Sequence, residues 1–180
     1  MRSQVLVVDV QQKLVPVIAG HQTVTASVEF LLDVAAVLNV PAVISEQYPE
    51  GLGSTLPSIG NHAAVTATFA KLRFSAAEAF LSEQSSPDRD QIVLVGIETH
   101  ICVLQTAIDL IGQGFQVVVA ADAVGSRSPQ DHEVALQRLR DAGGIVTTVE
   151  SVAFEWCEMS GTDEFRQISR LVRARDNGKA

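Results

Sequence analysis

The sequence is short of cysteine and has no long apolar run, and each shortage excludes a class of protein. Two cysteines, Cys102 and Cys157, are too few for a disulfide framework in a chain of 180 residues. No stretch approaches the roughly 20 consecutive apolar residues of a membrane-spanning helix. The opening residues, MRSQVLVVDVQQ, have only a short apolar run that Asp9 interrupts, unlike a signal peptide. We therefore expect a cytoplasmic protein without membrane contact.

Positive charge is also scarce. The chain has 13 Lys and Arg against 21 Asp and Glu, a net charge of −8. Affinity for nucleic acids comes mostly from Lys and Arg that neutralise phosphates, so we expect no nucleic-acid partner. Because 47% of the residues are hydrophobic and 19% charged, the composition is that of a globular protein. The length predicts a single domain over residues 1–180.

Short apolar runs alternate with helical patterns along the chain. The runs predict strands at 4–10, 41–47, 63–71, 91–96, 115–122 and 145–151. Helical periodicity predicts helices at 21–40, 75–84, 101–114, 128–144 and 162–175, with Ser75 as an N-cap and a loop at 48–60. This alternation predicts an α/β fold with three layers, α/β/α, around a mostly parallel, Rossmann-like sheet of about six strands.

Ligands of such sheets bind beyond the carboxyl ends of the strands. The residues to consider therefore follow the predicted strands: Asp9, Glu46, Gln47, Lys71, Glu98 to Cys102, and Asp122.

Asp9, Lys71 and Cys102 form a chemically coherent set. A lysine ammonium and a helix N-terminus both lower the pKa of a thiol, so we expect a populated thiolate at Cys102. A carboxylate within reach can take the thiol proton and later return it to a leaving group. Each residue also has a structural interpretation: Cys102 as a small core residue, Asp9 as a turn former, Lys71 as surface charge. The residues alone leave both interpretations open.

Three segments of the sequence resemble the isochorismatase-like cysteine hydrolases, the superfamily that includes the nicotinamidases. VLVVDVQQ resembles the opening strand with its catalytic aspartate, here Asp9, and KLRFSA resembles the segment with the catalytic lysine, here Lys71. VGIETHICVLQTA resembles the nucleophile turn and places the cysteine at Cys102. ISEQYPEGLG adds a similarity to the small isochorismatase-domain-containing proteins, some of which carry a ribonuclease label that the acidic charge gives no reason to adopt.

The resemblance implies a site and a reaction. It implies a cis peptide between Ile97 and Glu98, with the backbone amides of Glu98 and Cys102 forming an oxyanion hole. It implies hydrolysis of a small amide-like or related acyl substrate through a Cys102 thioester. We also expect Gln47 and Phe74 to line the pocket, with a place in the core as the alternative for Phe74. The His100 side chain is expected to point away from the substrate. Relatives assemble as homo-oligomers, which we expect here too.

The sequence also differs from the nicotinamidases in the residues that could bind a metal. Nicotinamidases hold a metal with an Asp-x-His pair and a further His, whereas the region after the second predicted strand has only His62. We therefore expect no metal and no cofactor. Cys102 favours amide, ester or thioester chemistry over the ether cleavage of isochorismatases proper, which lack this cysteine. Two alternatives stay open: a non-catalytic binding or scaffold module, and a redox-active thiol protein in which Cys157 lies near Cys102.

Overall fold

The computed structural model describes residues 2–83 and 88–177. Their centre is a six-stranded sheet in the order β3-β2-β1-β4-β5-β6, and every neighbouring pair is parallel. The strands are β1 Ser3–Val8, β2 Ala42–Gln47, β3 Val65–Lys71, β4 Gln91–Ile97, β5 Gln116–Gly125 and β6 Ile145–Thr147. The predicted α/β fold with a parallel, six-stranded sheet is thus confirmed.

Helices cover both faces of the sheet. They are α1 His21–Val37, α2 Pro49–Leu52, α3 Pro57–Gly60, α4 Ala77–Glu83, α5 Leu104–Gly112, α6 Pro129–Asp141, α7 Val149–Cys157 and α8 Asp163–Asn177. The helices α1, α7 and α8 pack on one face and α4, α5 and α6 on the other. None of the helices described by the structure combines the length and apolar character needed to cross a membrane.

The central strands are buried on both faces because their side chains alternate between the two helical layers. In β1, Val5 and Val7 pack into the layer of α1, and Leu6 and Val8 pack into the layer of α5. All four side chains are fully buried. This double burial explains why the strand appears in the sequence as a continuous apolar run.

Three segments differ from the prediction. The strand expected at 145–151 ends at Thr147, and the helix α7 begins at Val149. Thr148 is the N-cap of α7, because its side chain accepts a hydrogen bond from the backbone N–H of Ser151. The loop at 48–60 contains the one-turn helices α2 and α3, each opened by a proline. The helix expected from residue 101 begins instead as a π-helical turn over Thr99–Val103, which continues into α5.

The sheet reverses its strand order at β1. The chain builds β2 and β3 on one side of β1 and then returns to build β4, β5 and β6 on the other side. The carboxyl ends of β1 and β4 therefore flank the switch point, where sheets of this type bind their ligands. Asp9 follows β1, Cys102 lies in the turn after β4, and Lys71 ends β3.

Candidate active site

Asp9 is held at the end of β1 by backbone and side-chain contacts. Its backbone has a φ of 54°, a left-handed conformation that aspartate tolerates better than most residues. Its carboxylate is fully buried, and its Oδ1 atom accepts a hydrogen bond of 2.7 Å from the Ser45 hydroxyl of β2. The burial and the fixed partners hold the carboxylate in one orientation.

Lys71 points its ammonium group at Asp9. The Nζ atom lies 2.8 Å from Asp9 Oδ2, and the lysine side chain is 3% exposed. Nζ also donates to Gln47 Oε1 at 2.7 Å and to the Phe74 carbonyl at 2.9 Å. An ammonium has three hydrogens, so these acceptors use its full donor capacity. The buried charge is compensated by the protein itself, as a buried ion pair requires.

Cys102 completes this arrangement from the turn after β4. The residue is 7% exposed, and its thiol lies close enough to Asp9 and Lys71 for both groups to shift its pKa. The structure therefore brings together the three residues that the sequence predicted to act together.

The resting state of Cys102 differs from the prediction. Burial and the adjacent Asp9 carboxylate raise the pKa of Cys102 to about 12, although Lys71 acts in the opposite direction. The expected populated thiolate is thus wrong. The reason is that desolvation disfavours the charged thiolate, and the nearby carboxylate repels it.

The pKa of Asp9 is raised as well. Burial is the largest cause, and it outweighs the lowering effects of Lys71, of the Ser45 hydroxyl and of Cys102. A carboxylate with a raised pKa is a stronger base than an exposed one, so this Asp9 is suited to accept the thiol proton.

The turn before α5 contains two amides without an acceptor beyond the turn itself. The peptide bond between Ile97 and Glu98 is cis. The N–H groups of Ile101 and Val103 donate to the Glu98 carbonyl at 3.1 and 3.2 Å. Among the described residues, neither the Glu98 N–H nor the Cys102 N–H donates to any acceptor outside this turn. The Glu98 and Cys102 amides belong to the turn that carries the thiol, so they are the candidates for an oxyanion hole.

Gln47 and Phe74, the two residues expected to line the pocket, both accept hydrogen bonds from Lys71. The Gln47 side chain accepts from Lys71 and donates to the Leu72 carbonyl at 2.9 Å. Both ends of its amide are thus engaged by the protein. The Phe74 carbonyl accepts a hydrogen bond from Lys71, and the residue is 55% exposed, which excludes a core role.

Sequence reasoning missed two residues that support the site. Gln11 is fully buried, and its amide group binds the Gln47 backbone in both directions, at 2.8 and 3.0 Å. Ser45 donates its hydroxyl to Asp9. A signal for Gln11 existed, because it is a polar residue directly after the predicted strand at 4–10. Ser45 carried the same kind of signal as a polar residue inside an apolar run.

Other candidates serve the scaffold. Asp122 accepts from the Val149 N–H at the start of α7 and pairs with Arg175 at 2.8 Å. Glu46 accepts from the backbone and hydroxyl of Thr55. The His100 ring bonds to the Ser126 hydroxyl at 2.9 Å.

His62 lies in the short segment between α3 and β3. Its Nε2 atom lies 3.1 Å from Asp33 Oδ1, and its Nδ1 accepts from the Ala64 N–H. Over residues 2–83 and 88–177, no group of three or more His, Cys, Asp or Glu side chains converges as metal ligands would.

The fold and the site together define a three-layer α/β protein with a buried cysteine site at the switch point of its sheet. The Isochorismatase domain model matches residues 3–151, and the chain belongs to this family. Isochorismatase domain-containing protein 1 of Danio rerio is 40% identical over 169 residues, covering 92% of this chain. The chain spans 59% of that relative's length.

Solved structures show the same fold. MAR1 Ribonuclease from Caenorhabditis elegans superposes with a TM-score of 0.87 at 34% identity, covering 95% of this chain and 89% of its own. The YcaC gene product from Escherichia coli, described as an octameric hydrolase of unknown specificity, superposes with a TM-score of 0.82 at 23% identity. It covers 98% of this chain and 94% of its own, and at this identity the likeness concerns the fold alone.

Proposed function

We propose that the protein is a cytoplasmic cysteine hydrolase that cleaves a small amide-like or related acyl substrate without a metal or cofactor. The observation that carries this proposal is one arrangement: a thiol, a basic carboxylate and two backbone amides meet at the carboxyl edge of the sheet. Membership of a hydrolase family supports it. Each group matches a separate requirement of acyl transfer.

In the first half of the reaction, the Cys102 sulfur attacks the substrate carbonyl carbon while its proton passes to Asp9. The carbonyl π electrons move to oxygen, and the N–H groups of Glu98 and Cys102 donate to that oxyanion. The tetrahedral intermediate collapses, the C–N or C–O bond breaks, and Asp9 returns the proton to the leaving group. The acyl group is left on Cys102 as a thioester.

In the second half, Asp9 takes a proton from water as the water oxygen attacks the thioester carbonyl. The collapse releases the carboxylic acid and returns the proton to the sulfur of Cys102. Lys71 does not touch the substrate in this scheme, because its three hydrogens are already used. It balances the charge of Asp9 and fixes its orientation, and Gln47 fixes Lys71 in turn.

Three other functions are less well supported. The structural relative from Caenorhabditis elegans is named a ribonuclease, but a net charge of −8 disfavours binding to a phosphate backbone. A scaffold module would not need the carboxylate, thiol and amides to converge. A redox role would need Cys157 near Cys102, but Cys102 follows the carboxyl end of β4, whereas Trp156, beside Cys157, lies near its amino end.

The test is a turnover screen of small amides, esters and thioesters with the wild type and a Cys102→Ala variant. We expect turnover in the wild type, none in Cys102→Ala, and unchanged turnover in the matched control Cys157→Ala. Peptide mass mapping of protein quenched during turnover should show an acyl adduct on the Cys102 peptide. Equal turnover by Cys102→Ala would refute the nucleophile assignment.

A further inference from the structure

We infer that Arg127 recognises a carboxylate on the substrate, a few bonds from the carbonyl that Cys102 attacks. The inference rests on the proposed function for the position of that carbonyl. It names the chemical class of the substrate, which the hydrolytic chemistry alone leaves open.

Arg127 lies next to the nucleophile turn. The last residue of β5, Gly125, pairs with Ile97, the last residue of β4. Two residues further on, the Arg127 backbone N–H donates to Glu98 Oε2 at 3.0 Å. Glu98 opens the turn that carries Cys102, and its carbonyl accepts the N–H of Val103. One glutamate side chain therefore separates the Arg127 backbone from the turn of the nucleophile.

The guanidinium of Arg127 is fixed at one end and open at the other. Its Nε donates to the same Glu98 oxygen at 3.2 Å, and the Glu98 side chain is only 9% exposed. The arginine side chain is 61% exposed. Neither terminal nitrogen bonds to any residue in the part of the chain that the structure describes. A guanidinium presents pairs of N–H groups that match the two oxygens of a carboxylate, so the open end is a preoriented anion receptor.

The other cations described at this edge, Arg73, Lys71 and Lys13, have other partners. Arg73 follows β3 and pairs with Glu78 at 3.4 Å. Lys71 is buried and its donors are fully used. Lys13 is exposed and donates to the Gly51 carbonyl, in the loop that follows β2. An anionic substrate approaching a chain of net charge −8 needs local positive charge, and Arg127 provides it beside Glu98, the residue that opens the turn of Cys102.

The test uses two alkylating reagents of nearly the same size, iodoacetate and iodoacetamide. Both react with Cys102, but only iodoacetate carries a carboxylate. The measurement is the ratio of their rate constants at Cys102, by peptide mass mapping at a mildly alkaline pH. Changes in thiol reactivity affect both reagents and cancel in the ratio. We expect Arg127→Gln to lower the ratio about tenfold, the loss of one charge-assisted contact.

Two variants separate recognition from general electrostatics. Lys13→Gln removes the same charge from the same edge, and we expect its ratio to stay within about twofold of wild type. The double variant Glu98→Gln/Arg127→Gln has the wild-type net charge, and we expect its ratio to stay low. A wild-type ratio in Arg127→Gln or in the double variant would overturn the inference, as would an equal fall in Lys13→Gln. The ratio needs no turnover, so failure of the proposed function is seen separately, as absence of Cys102-dependent hydrolysis.

Discussion

The buried pair of Asp9 and Lys71 sets the resting chemistry of Cys102. Because burial and the carboxylate raise the thiol pKa, the cysteine rests as a neutral thiol next to a base. In the proposed reaction, proton transfer and nucleophilic attack are then coupled, since the thiolate forms only as the sulfur reaches the carbonyl carbon. This differs from a cysteine that rests as a thiolate beside a cation, and it protects the thiol from oxidation and adventitious alkylation.

The first prediction follows from the direction in which the Asp9 carboxylate shifts the pKa of Cys102. Asp9→Asn removes the charge that raises the Cys102 pKa but leaves the Lys71 ammonium in place, so the pKa should fall. A fall of one pH unit makes the thiolate about tenfold more abundant near neutral pH. We therefore expect faster iodoacetamide alkylation of Cys102 together with loss of hydrolysis.

The control for this experiment is Asp109→Asn, which removes one negative charge from the exposed surface of α5. It should leave the alkylation rate within about twofold of wild type. Circular dichroism checks that Asp9→Asn folds, since it leaves the buried Lys71 without its ion-pair partner. A slower alkylation in folded Asp9→Asn would show that the carboxylate does not raise the thiol pKa.

The second prediction concerns the pH dependence of hydrolysis. Asp9 acts as a base only when ionised, and burial raises its pKa above the ordinary 3.8. Activity should therefore be present above the raised pKa and fall as the pH drops through it. The acidic limb of the kcat/KM profile, which reports ionisations of the free enzyme, should lie above pH 3.8. A limb at or below that value would assign the base to another group.

Residue identity was easier to predict than residue environment. Asp9, Lys71 and Cys102 could be found because each follows an apolar run in a parallel-sheet pattern. Their burial could not be predicted from the sequence, because it depends on which loops cover the edge of the sheet. The predicted direction of the Cys102 pKa was wrong for this reason. The hydrogen bonds of the Gln47 amide with Lys71 and Leu72 could not be predicted either, since they depend on the path of the chain after β3.

At the level of elements, the contact between β1 and β4 brings Asp9 and Cys102 together. Gly96 pairs with Val8, the residue before Asp9, and lies two residues before Glu98. Its φ is +115°, which side chains rarely adopt, and a Cβ there would collide with the Val8 backbone. The glycine thus permits the close approach of the two strands at the site.

The third prediction is that Gly96→Ala destabilises the fold by at least about 3 kcal/mol, because both the backbone conformation and the Val8 contact are incompatible with a side chain. Urea unfolding followed by circular dichroism measures the change. Gly112→Ala is the matched control, since a methyl group on this exposed glycine of α5 would meet no other atom within 4 Å. It should be neutral or stabilising by up to about 1 kcal/mol. Equal stabilities of the two variants would contradict the role of Gly96.

Elements with strong periodicity were predicted best. The strands β1, β2 and β4 and the helices α1, α6 and α8 lie close to the predicted ranges, because each has a continuous pattern and a clear boundary. The helix α7 was missed because the apolar run from Ile145 passes directly into it, and the Thr148 cap is a weak local signal. The π-helical turn could not be predicted, since its hydrogen bonds depend on the carbonyl orientation of Glu98.

For the whole molecule, the fourth prediction is that hydrolysis does not depend on a divalent metal. His62 is already engaged through both ring nitrogens, by Asp33 and by the Ala64 backbone. The site residues themselves offer one thiol and one carboxylate, and that carboxylate is bound to Lys71. Dialysis against a strong chelator should leave the rate unchanged. A loss of activity that zinc, iron or manganese restores would contradict this prediction.

The fifth prediction concerns the two cysteines. Cys102 lies beyond the carboxyl end of β4, whereas Trp156, next to Cys157, lines a surface cavity with Ser3 and Gln91 at the amino ends of the strands. The seven residues of β4 span about 20 Å between those edges. A disulfide needs Cα atoms within about 7 Å. Mild oxidation should therefore form no disulfide within the chain, a result that non-reducing peptide mapping detects. A Cys102–Cys157 bridge in folded protein would favour the redox function over hydrolysis, because it would require the two edges of the sheet to meet.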